Sequence, residues 1–340
     1  MNICGIPFYR LTIQEDHGRF VFVPCCTSWN NPPYNKFSFI IRENKDHVFD
    51  VGSAWNSDEL KEFRESILDG SYRYCNKNMC PFLISNILPP LPDKCLPYIY
   101  EKKTHLDYPP IQIAANIDTA CNLSCPSCRS EKDRLSDPMT YPRLLGLLKS
   151  GTEGLFTNSS GEVFANTYML KLLREFSSKD YPNIKNFEII TNGTLLNKTM
   201  WFSLSIDFKK LLNKISISID SSVESTYNII RPGGNFKNLI KNIEFIKSLR
   251  DSGTIESFHL LFVLQKKNIE EIVNFSEFAV GLKPNAIEIK KISYWENYSF
   301  PFFENELKLP INYRIHFKEI ISRARNIIEN SGITLISDAI

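Results

Sequence analysis

No stretch of this 340-residue chain approaches the roughly 18 to 20 consecutive apolar residues that a membrane-spanning helix needs. The start, Met1-Asn2-Ile3-Cys4, lacks the charged-then-apolar pattern of a secretory signal. A cytoplasmic protein with no membrane partner is expected. Surplus charge is also missing. The 40 Lys and Arg are matched by 38 Asp and Glu, and no basic stripe is interleaved with aromatics, so nucleic acid is not an expected partner. There is no low-complexity segment and no internal repeat beyond a strand–helix rhythm. Histidine is rare, and none of His17, His47, His105, His259 or His316 lies in a recognisable motif. What the chain does have is 43% hydrophobic residues, ample for a soluble globular core in one large domain or two ordinary ones.

It also has nine cysteines. An odd count in a reducing compartment points to metal ligands or buried thiols rather than disulfides. Cys121, Cys125 and Cys128 fall within eight residues, just after an apolar run that reads as a strand. Thiolates are the ligands of [4Fe–4S] cubanes. Three of them on a short loop take three irons and leave the fourth open to bind and reduce a small molecule. Cys4, the pair Cys25-Cys26, Cys75 and Cys80 are enough for a second four-thiolate site, for which the irregular spacing by itself favours zinc. Cys95 stands apart and reads as a buried thiol.

Residues 1–108 read as a first domain that ends in a linker marked by Pro89, Pro90, Pro92 and Pro97. Residues 19–23 and 36–41 alternate as strands of a small antiparallel ribbon. Ser57 reads as the N-cap of a helix over 58–68, with Leu60, Phe63, Ile67 and Leu68 on one face and Gly70 as its stop. Across 109–340 the pattern changes. Apolar, β-branched runs at 111–117, 154–157, 187–190, 215–219, 258–264 and 286–290 alternate with stretches of helical period. Six strand–helix units imply a parallel sheet, open or curled into part of a barrel, with functional loops at the strands' C-terminal ends. Those loops hold the three cysteines, Asn158-Ser159-Ser160-Gly161-Glu162, Thr191-Asn192-Gly193-Thr194 and Asp220-Ser221-Ser222. Singly each is ordinary turn chemistry; in series they suit a polar ligand lying across the sheet.

With these residues the chain resembles the radical SAM superfamily over about 110–300. That family carries a CxxxCxxC loop after the first strand of a partial (β/α)6 barrel. The resemblance implies an α/β fold: a partial (β/α)6 TIM-like barrel with a small N-terminal α+β iron–sulfur domain. It makes Cys121, Cys125 and Cys128 ligands of a [4Fe–4S] cluster whose fourth iron is chelated by S-adenosylmethionine. It places Gly161 and Glu162 at the amino group of that cofactor, Asn192 and Gly193 beside it, Ser218 and Asp220 at its ribose or methionyl end, and Arg231 at its carboxylate. Ser127 stands where an aromatic residue is usual, and Ser160 and Val163 replace the usual first glycine and proline around Gly161-Glu162. The N-terminal part resembles SPASM or twitch domains, although those usually follow the barrel. That likeness implies an auxiliary [4Fe–4S] cluster on Cys4, Cys25, Cys75 and Cys80, with Cys26 as an alternative to Cys25.

The implied enzyme is an oxidoreductase or maturase that cleaves S-adenosylmethionine reductively to a 5′-deoxyadenosyl radical and abstracts hydrogen from a peptide or protein side chain. It would draw electrons from a donor such as flavodoxin or ferredoxin. A dehydrogenase or epimerase of a sugar or other small molecule is the second expectation, and a non-catalytic zinc protein the third. Tyr294, Trp295 and Glu296, after the sixth strand, are candidates to face substrate; no acid–base residue is singled out.

Overall fold

The computed structural model describes residues 3–16, 19–25, 39–40, 50–77, 80–89, 91–128, 138–157, 161–294 and 299–340. One sheet contains β1 (Arg10–Asp16), β2 (Arg19–Val23), β3 (Phe39–Ile40), β4 (Gln112–Asn116), β5 (Gly154–Thr157), β6 (Asn186–Thr191), β7 (Leu212–Ser218), β8 (Ser257–Leu264), β9 (Ala286–Lys291) and β10 (Thr334–Ser337). Their order is β10-β9-β8-β7-β6-β5-β4-β1-β2-β3. β4 to β9 are the six expected strands, each parallel to the next. β10 adds in parallel to β9.

The strands keep a two-residue period. Along β6 and β8, Phe187, Ile189, Phe258, Leu260, Phe262 and Leu264 are buried while the residues between them are half-exposed. The buried face is covered by helices whose starts are set by side-chain caps. Asn166 accepts from the amides of Tyr168 and Met169 and opens Thr167–Glu175, which buries Met169, Leu172 and Leu173. Asn235 caps Phe236–Asp251, which turns Leu239, Ile243 and Ile246 inward. The opposite face is concave: Gln112 Nε2 on β4 donates to Glu188 Oε1 on β6 at 2.8 Å, reaching over β5 between them. Among the described residues no helix is long and apolar enough to cross a membrane.

The N-terminal ribbon joins this sheet. β1 pairs parallel with β4, from Arg10 opposite Gln112 to Gln14 opposite Asn116, and antiparallel with β2. Val21 and Phe22 pair with Ile40 and Phe39; residues 36–38 and 41 lie outside the described ones. Leu11, Ile13 and Phe22 belong to the same buried cluster as the strands after residue 108, so burial of one shared apolar face draws the ribbon in. The proline-marked stretch is packed rather than extended. It carries a 3-10 turn, Asp93–Cys95, and a helix, Leu96–Tyr100, because Pro97 sits in the first turn, where its missing N–H is no loss. Cys95 is fully buried, with its Sγ on the Phe8 carbonyl at 3.4 Å.

The expected helix runs from Asp58 to Leu68, with Ser57 accepting from the Leu60 amide. It buries Arg64 completely. Arg64 Nε donates to the Pro7 carbonyl at 2.9 Å, Nη1 to Thr104 at 2.9 Å and Nη2 to Trp55 at 2.8 Å, and the guanidinium lies 4.3 Å from the Trp55 ring. One side chain thus ties three separated segments. Replacing it leaves three carbonyls unpaired, each costing about 1–3 kcal/mol when buried. Arg64→Met is expected to lower unfolding stability by at least about 3 kcal/mol in urea melts, whereas Arg323→Met, at an exposed ion pair, should change it by under about 0.5 kcal/mol. Equal effects would show that Arg64 does not hold these segments together.

Candidate active site

The three-cysteine loop leaves β4 through Asp118, a buried carboxylate that accepts from the Ala120 amide at 2.8 Å and the Thr140 hydroxyl at 3.0 Å. The Cys121 sulfur accepts from the Leu123 amide at 3.4 Å and from Asn192 Nδ2 at 3.9 Å. A turn closed by the Cys128 amide on the Cys125 carbonyl, 3.0 Å, brings those two residues together. Burial pushes the Cys125 thiol up to about 11, and the Arg231 guanidinium acts in the opposite direction. Such a sulfur needs a cation or a metal to become a thiolate.

The loop after β5 is pressed against the cysteine loop. A side chain at Gly161 would place its Cβ 2.2 Å from the Ala120 carbonyl oxygen, so only glycine fits. The Glu162 amide donates to that same oxygen at 2.8 Å. The Glu162 carboxylate is 1% exposed. One oxygen accepts from the Thr191 hydroxyl at 2.6 Å and the Phe164 amide at 3.2 Å, the other from the Asn192 amide at 2.6 Å. Burial raises its pKa and these donors act against the rise. Glu162 thus braces two loops from inside the protein. Residues 158–160 lie outside the described ones.

After β6, Asn192 Nδ2 donates to Asn122 Oδ1 and Asn122 Nδ2 to the Thr194 hydroxyl, both at 2.9 Å. Gly193 has φ +73°, and Asn242 of the covering helix holds the Gly193 and Thr194 carbonyls. After β7, half-buried Ser218 leads to Asp220, held at φ +57° with its Oδ1 on the Val263 amide at 2.8 Å. Arg231 Nε and Nη2 both donate to Asp220 Oδ2, at 2.9 and 2.6 Å. Burial opposes the charge on Arg231, but Asp220 and Cys125 outweigh it and hold its pKa above the usual value. The Pro232 carbonyl accepts from the Ser124 amide at 3.0 Å, which joins the arginine loop to the cysteine loop. The structure therefore gathers the cysteine loop, Gly161, Glu162, Asn192, Gly193, Asp220 and Arg231 at one end of the sheet. Ser218 enters the same end along β7.

The other thiols meet at a second place. Cys4, Cys25, Cys75 and Cys80 line one cavity, together with Phe63, Ile67 and Tyr72. Cys26 lies outside the described residues. Tyr72 fixes the rim, accepting from the Cys4 amide on its hydroxyl at 3.1 Å and from the Cys75 amide on its carbonyl at 2.9 Å. Burial pushes the Cys4 thiol up to about 11 and the Cys75 thiol to about 12, and neighbouring thiols add to both. Among the described residues no three His, Cys, Asp or Glu are placed to hold a metal ion between them. Cys4 precedes β1 and Cys25 follows the antiparallel β2, so the cavity lies beyond the strand ends opposite the three-cysteine loop.

The concave face of the sheet carries charges that the sequence reading did not single out. Arg10 Nε donates to Gln112 Oε1 at 2.6 Å, Gln112 reaches Glu188, and Lys214 pairs with Glu188 at 2.5 Å. Further round, Glu288 lies 3.2 Å from Lys290 and 3.7 Å from His259. Their signal was the alternation of charged with apolar residues in Phe187-Glu188-Ile189 and Ile287-Glu288-Ile289-Lys290. Tyr294 packs on Phe300 and Phe303; Trp295 and Glu296 lie outside the described residues.

Residues 116–279 match the radical SAM superfamily. A probable GTP 3′,8-cyclase of Sulfurisphaera tokodaii is 30% identical over 164 residues, 47% of this chain and 49% of that one. A GTP 3′,8-cyclase of Petrotoga mobilis is 26% identical over 219 residues, 62% of each. The chain thus spans about half to three-fifths of the length of these curated relatives. Streptococcus suis SuiB bound to S-adenosylmethionine superposes with a TM-score of 0.50 at 13% identity, covering 97% of this chain and 72% of that one, which shows a shared fold. Residues 116–279 form a radical SAM superfamily domain.

Burial would raise the Glu288 pKa, but Lys290 and His259 together hold it at about 2. Its stabilising contribution is complete above the ordinary value of 4.5 and is lost as pH falls through about 2. The shift corresponds to about 3 kcal/mol. Glu288→Gln should remove that much of the stability difference between pH 7 and pH 2.5 in urea titrations; an unchanged pH profile would refute the pairing.

Proposed function

We propose that this radical SAM domain cleaves S-adenosylmethionine reductively, with Cys121, Cys125 and Cys128 holding a [4Fe–4S] cluster, and that the chain modifies a peptide side chain by oxidation or cross-linking. The observation that carries the reading is the interlocking of the three-cysteine loop with Asn192 on one side and Arg231-Pro232 on the other, at the C-terminal ends of parallel strands. The donor set fits a cluster: the Cys121 sulfur already receives two N–H donors, and the arginine loop is bonded to the cysteine loop through the Ser124 amide and the Pro232 carbonyl. When bound, the cluster supplies the electron that splits S-adenosylmethionine into methionine and a 5′-deoxyadenosyl radical, which takes hydrogen from the substrate.

The chain's own residues bind and orient. Nε and Nη2 of Arg231 are engaged by Asp220, which aims the guanidinium and leaves Nη1 for a ligand carboxylate. Bare backbone at Gly161 and the Asn192 amide shape the cofactor's surroundings, and Ser218 offers a hydroxyl. Cys4, Cys25, Cys75 and Cys80 hold an auxiliary [4Fe–4S] cluster. This is supported by four thiols lining one cavity, with burial making Cys4 and Cys75 costly to ionise without metal. A flavodoxin- or ferredoxin-type protein supplies the electrons. The peptide assignment draws support from the sheet's unclosed order, which ends at β3 and β10 and leaves a side entrance for an extended chain. A second reading, a charged small molecule, is favoured by Arg10, Lys214 and Lys290 on the concave face.

Protein purified and reconstituted without oxygen should carry about eight iron and eight sulfide per chain. Cys121→Ala/Cys125→Ala/Cys128→Ala should keep about four iron and lose 5′-deoxyadenosine formation, whereas Cys75→Ala/Cys80→Ala should keep about four iron and still cleave S-adenosylmethionine. Two zinc ions and no iron would sink the reading. Cleavage stimulated by nucleotides or sugars and not by peptides would transfer the assignment to the second class.

A further inference from the structure

Arg10 opens β1 opposite Gln112, and its side chain leans over the concave face as far as β5, where Cζ lies 5.0 Å from the centre of the Phe156 ring. Its orientation is fixed from behind. As a carboxylate paired with Lys214, Glu188 can only accept, so Gln112 presents Nε2 to Glu188 at 2.8 Å and Oε1 to Arg10 Nε at 2.6 Å. With Nε engaged, the open edge of the guanidinium is the one formed by Nη1 and Nη2. Those nitrogens meet no acceptor among the described residues, and the rings of Phe156 and Tyr9 lie against the group.

The charge at this place is not balanced. Lys214 reaches the same ring from β7, with Nζ 5.9 Å from its centre, but it is already paired with Glu188 at 2.5 Å. Two cations and one carboxylate therefore meet at Phe156, which leaves one positive charge over. Further round the face, Glu288 and Lys290 offset each other. Phe156 is the last residue but one of β5, so the spare charge stands just beneath the loop that carries Gly161 and Glu162. A second unmet group shares the face. Asn116 follows Gln112 by four residues on β4, which the two-residue period puts on the same side, and its buried Oδ1 has no partner among the described residues. An acceptor in that state calls for an N–H.

We propose that Arg10 binds a carboxylate of the substrate through Nη1 and Nη2 while Asn116 Oδ1 accepts from an N–H of the same molecule, which makes Arg10 a specificity-determining residue for an acidic peptide. The proposal rests on the reading that the substrate lies in this hollow. Two parallel N–H donors match the two oxygens of a carboxylate. One spare positive charge balances a carboxylate, whereas a phosphate monoester brings about two negative charges into the neighbourhood of Glu188. The cofactor's own carboxylate has its partner in Arg231 under the same reading, so the one at Arg10 belongs to the substrate.

The test is saturation-transfer NMR on the full-length protein, reconstituted without oxygen, with N-acetyl-glutamate methylamide as the probe. N-acetyl-glutamine methylamide keeps the N–H groups and lacks the carboxylate, butyrate keeps the carboxylate and lacks the N–H groups, and phenyl phosphate supplies the competing anion. The glutamate probe should bind about tenfold more tightly than the glutamine probe, more tightly than butyrate, and without displacement by equimolar phenyl phosphate. Arg10→Met should erase the preference for glutamate over glutamine. Arg10→Lys, which keeps the charge and loses the paired donors, should reduce it, and Asn116→Ala should weaken both acetylated probes alike. Equal binding of the glutamate and glutamine probes overturns the proposal, as does no saturable binding of the glutamate probe, displacement by phenyl phosphate, or a preference that survives in Arg10→Met. Butyrate binding as tightly as the glutamate probe would overturn the peptide assignment. Failure of the radical reading shows separately, as absence of 5′-deoxyadenosine formation by a protein that still prefers the glutamate probe.

Discussion

A carboxylate buried without partners costs several kcal/mol, and the site is assembled around the way the chain avoids that cost at Glu162. Its oxygens collect Thr191, Asn192 and Phe164, while its amide holds the Ala120 carbonyl. From Asn192 the connection continues to Asn122 and back into the cysteine loop. The loops after the first three parallel barrel strands are closed into one circuit, and Gly161 is the point where two of them touch backbone to backbone. The curvature of the three-cysteine loop is therefore set by neighbouring strands as much as by its own sequence.

Electrostatics follow from the same burial. Burial raises the Cys125 thiol and Arg231 opposes that rise; Arg231 is itself buried, so its orientation depends on Asp220, whose unusual backbone angle is held by Val263 and Asn268. Each group answers the desolvation of the one before it. Exposed ion pairs elsewhere on the molecule, such as Lys247 with Asp251, have no comparable chain of dependence.

The parallel strands were legible because runs such as Ile215-Ser216-Ile217-Ser218-Ile219 carry both β-propensity and period. Ser57 was legible as a cap, and the cysteine loop by its spacing. β1 was passed over. In Arg10-Leu11-Thr12-Ile13-Gln14-Glu15-Asp16 the apolar residues are Leu11 and Ile13, too few to mark a strand, and the pairing that makes it one comes from β4, about a hundred residues away. That same long-range pairing drew the ribbon into the main sheet. Glu162 was legible as a residue, but its bonds to Thr191, Asn192 and Phe164 were not, because the direction of a side chain is decided by the loops packed on it. The charges of the concave face were visible as alternation, yet nothing local distinguishes a strand facing an interior hollow from one facing water.

The parallel pairing of β1 with β4 has a geometric consequence for the thiols. The four N-terminal thiols stand beyond one end of this strand pair and the three-cysteine loop beyond the other. β4 alone spans five residues, roughly 16 Å of backbone. The fold thus holds its two groups of thiols at opposite ends of the same strands. The two groups of thiols are kept apart by at least the length of β4, so neither group can supply a ligand to the other.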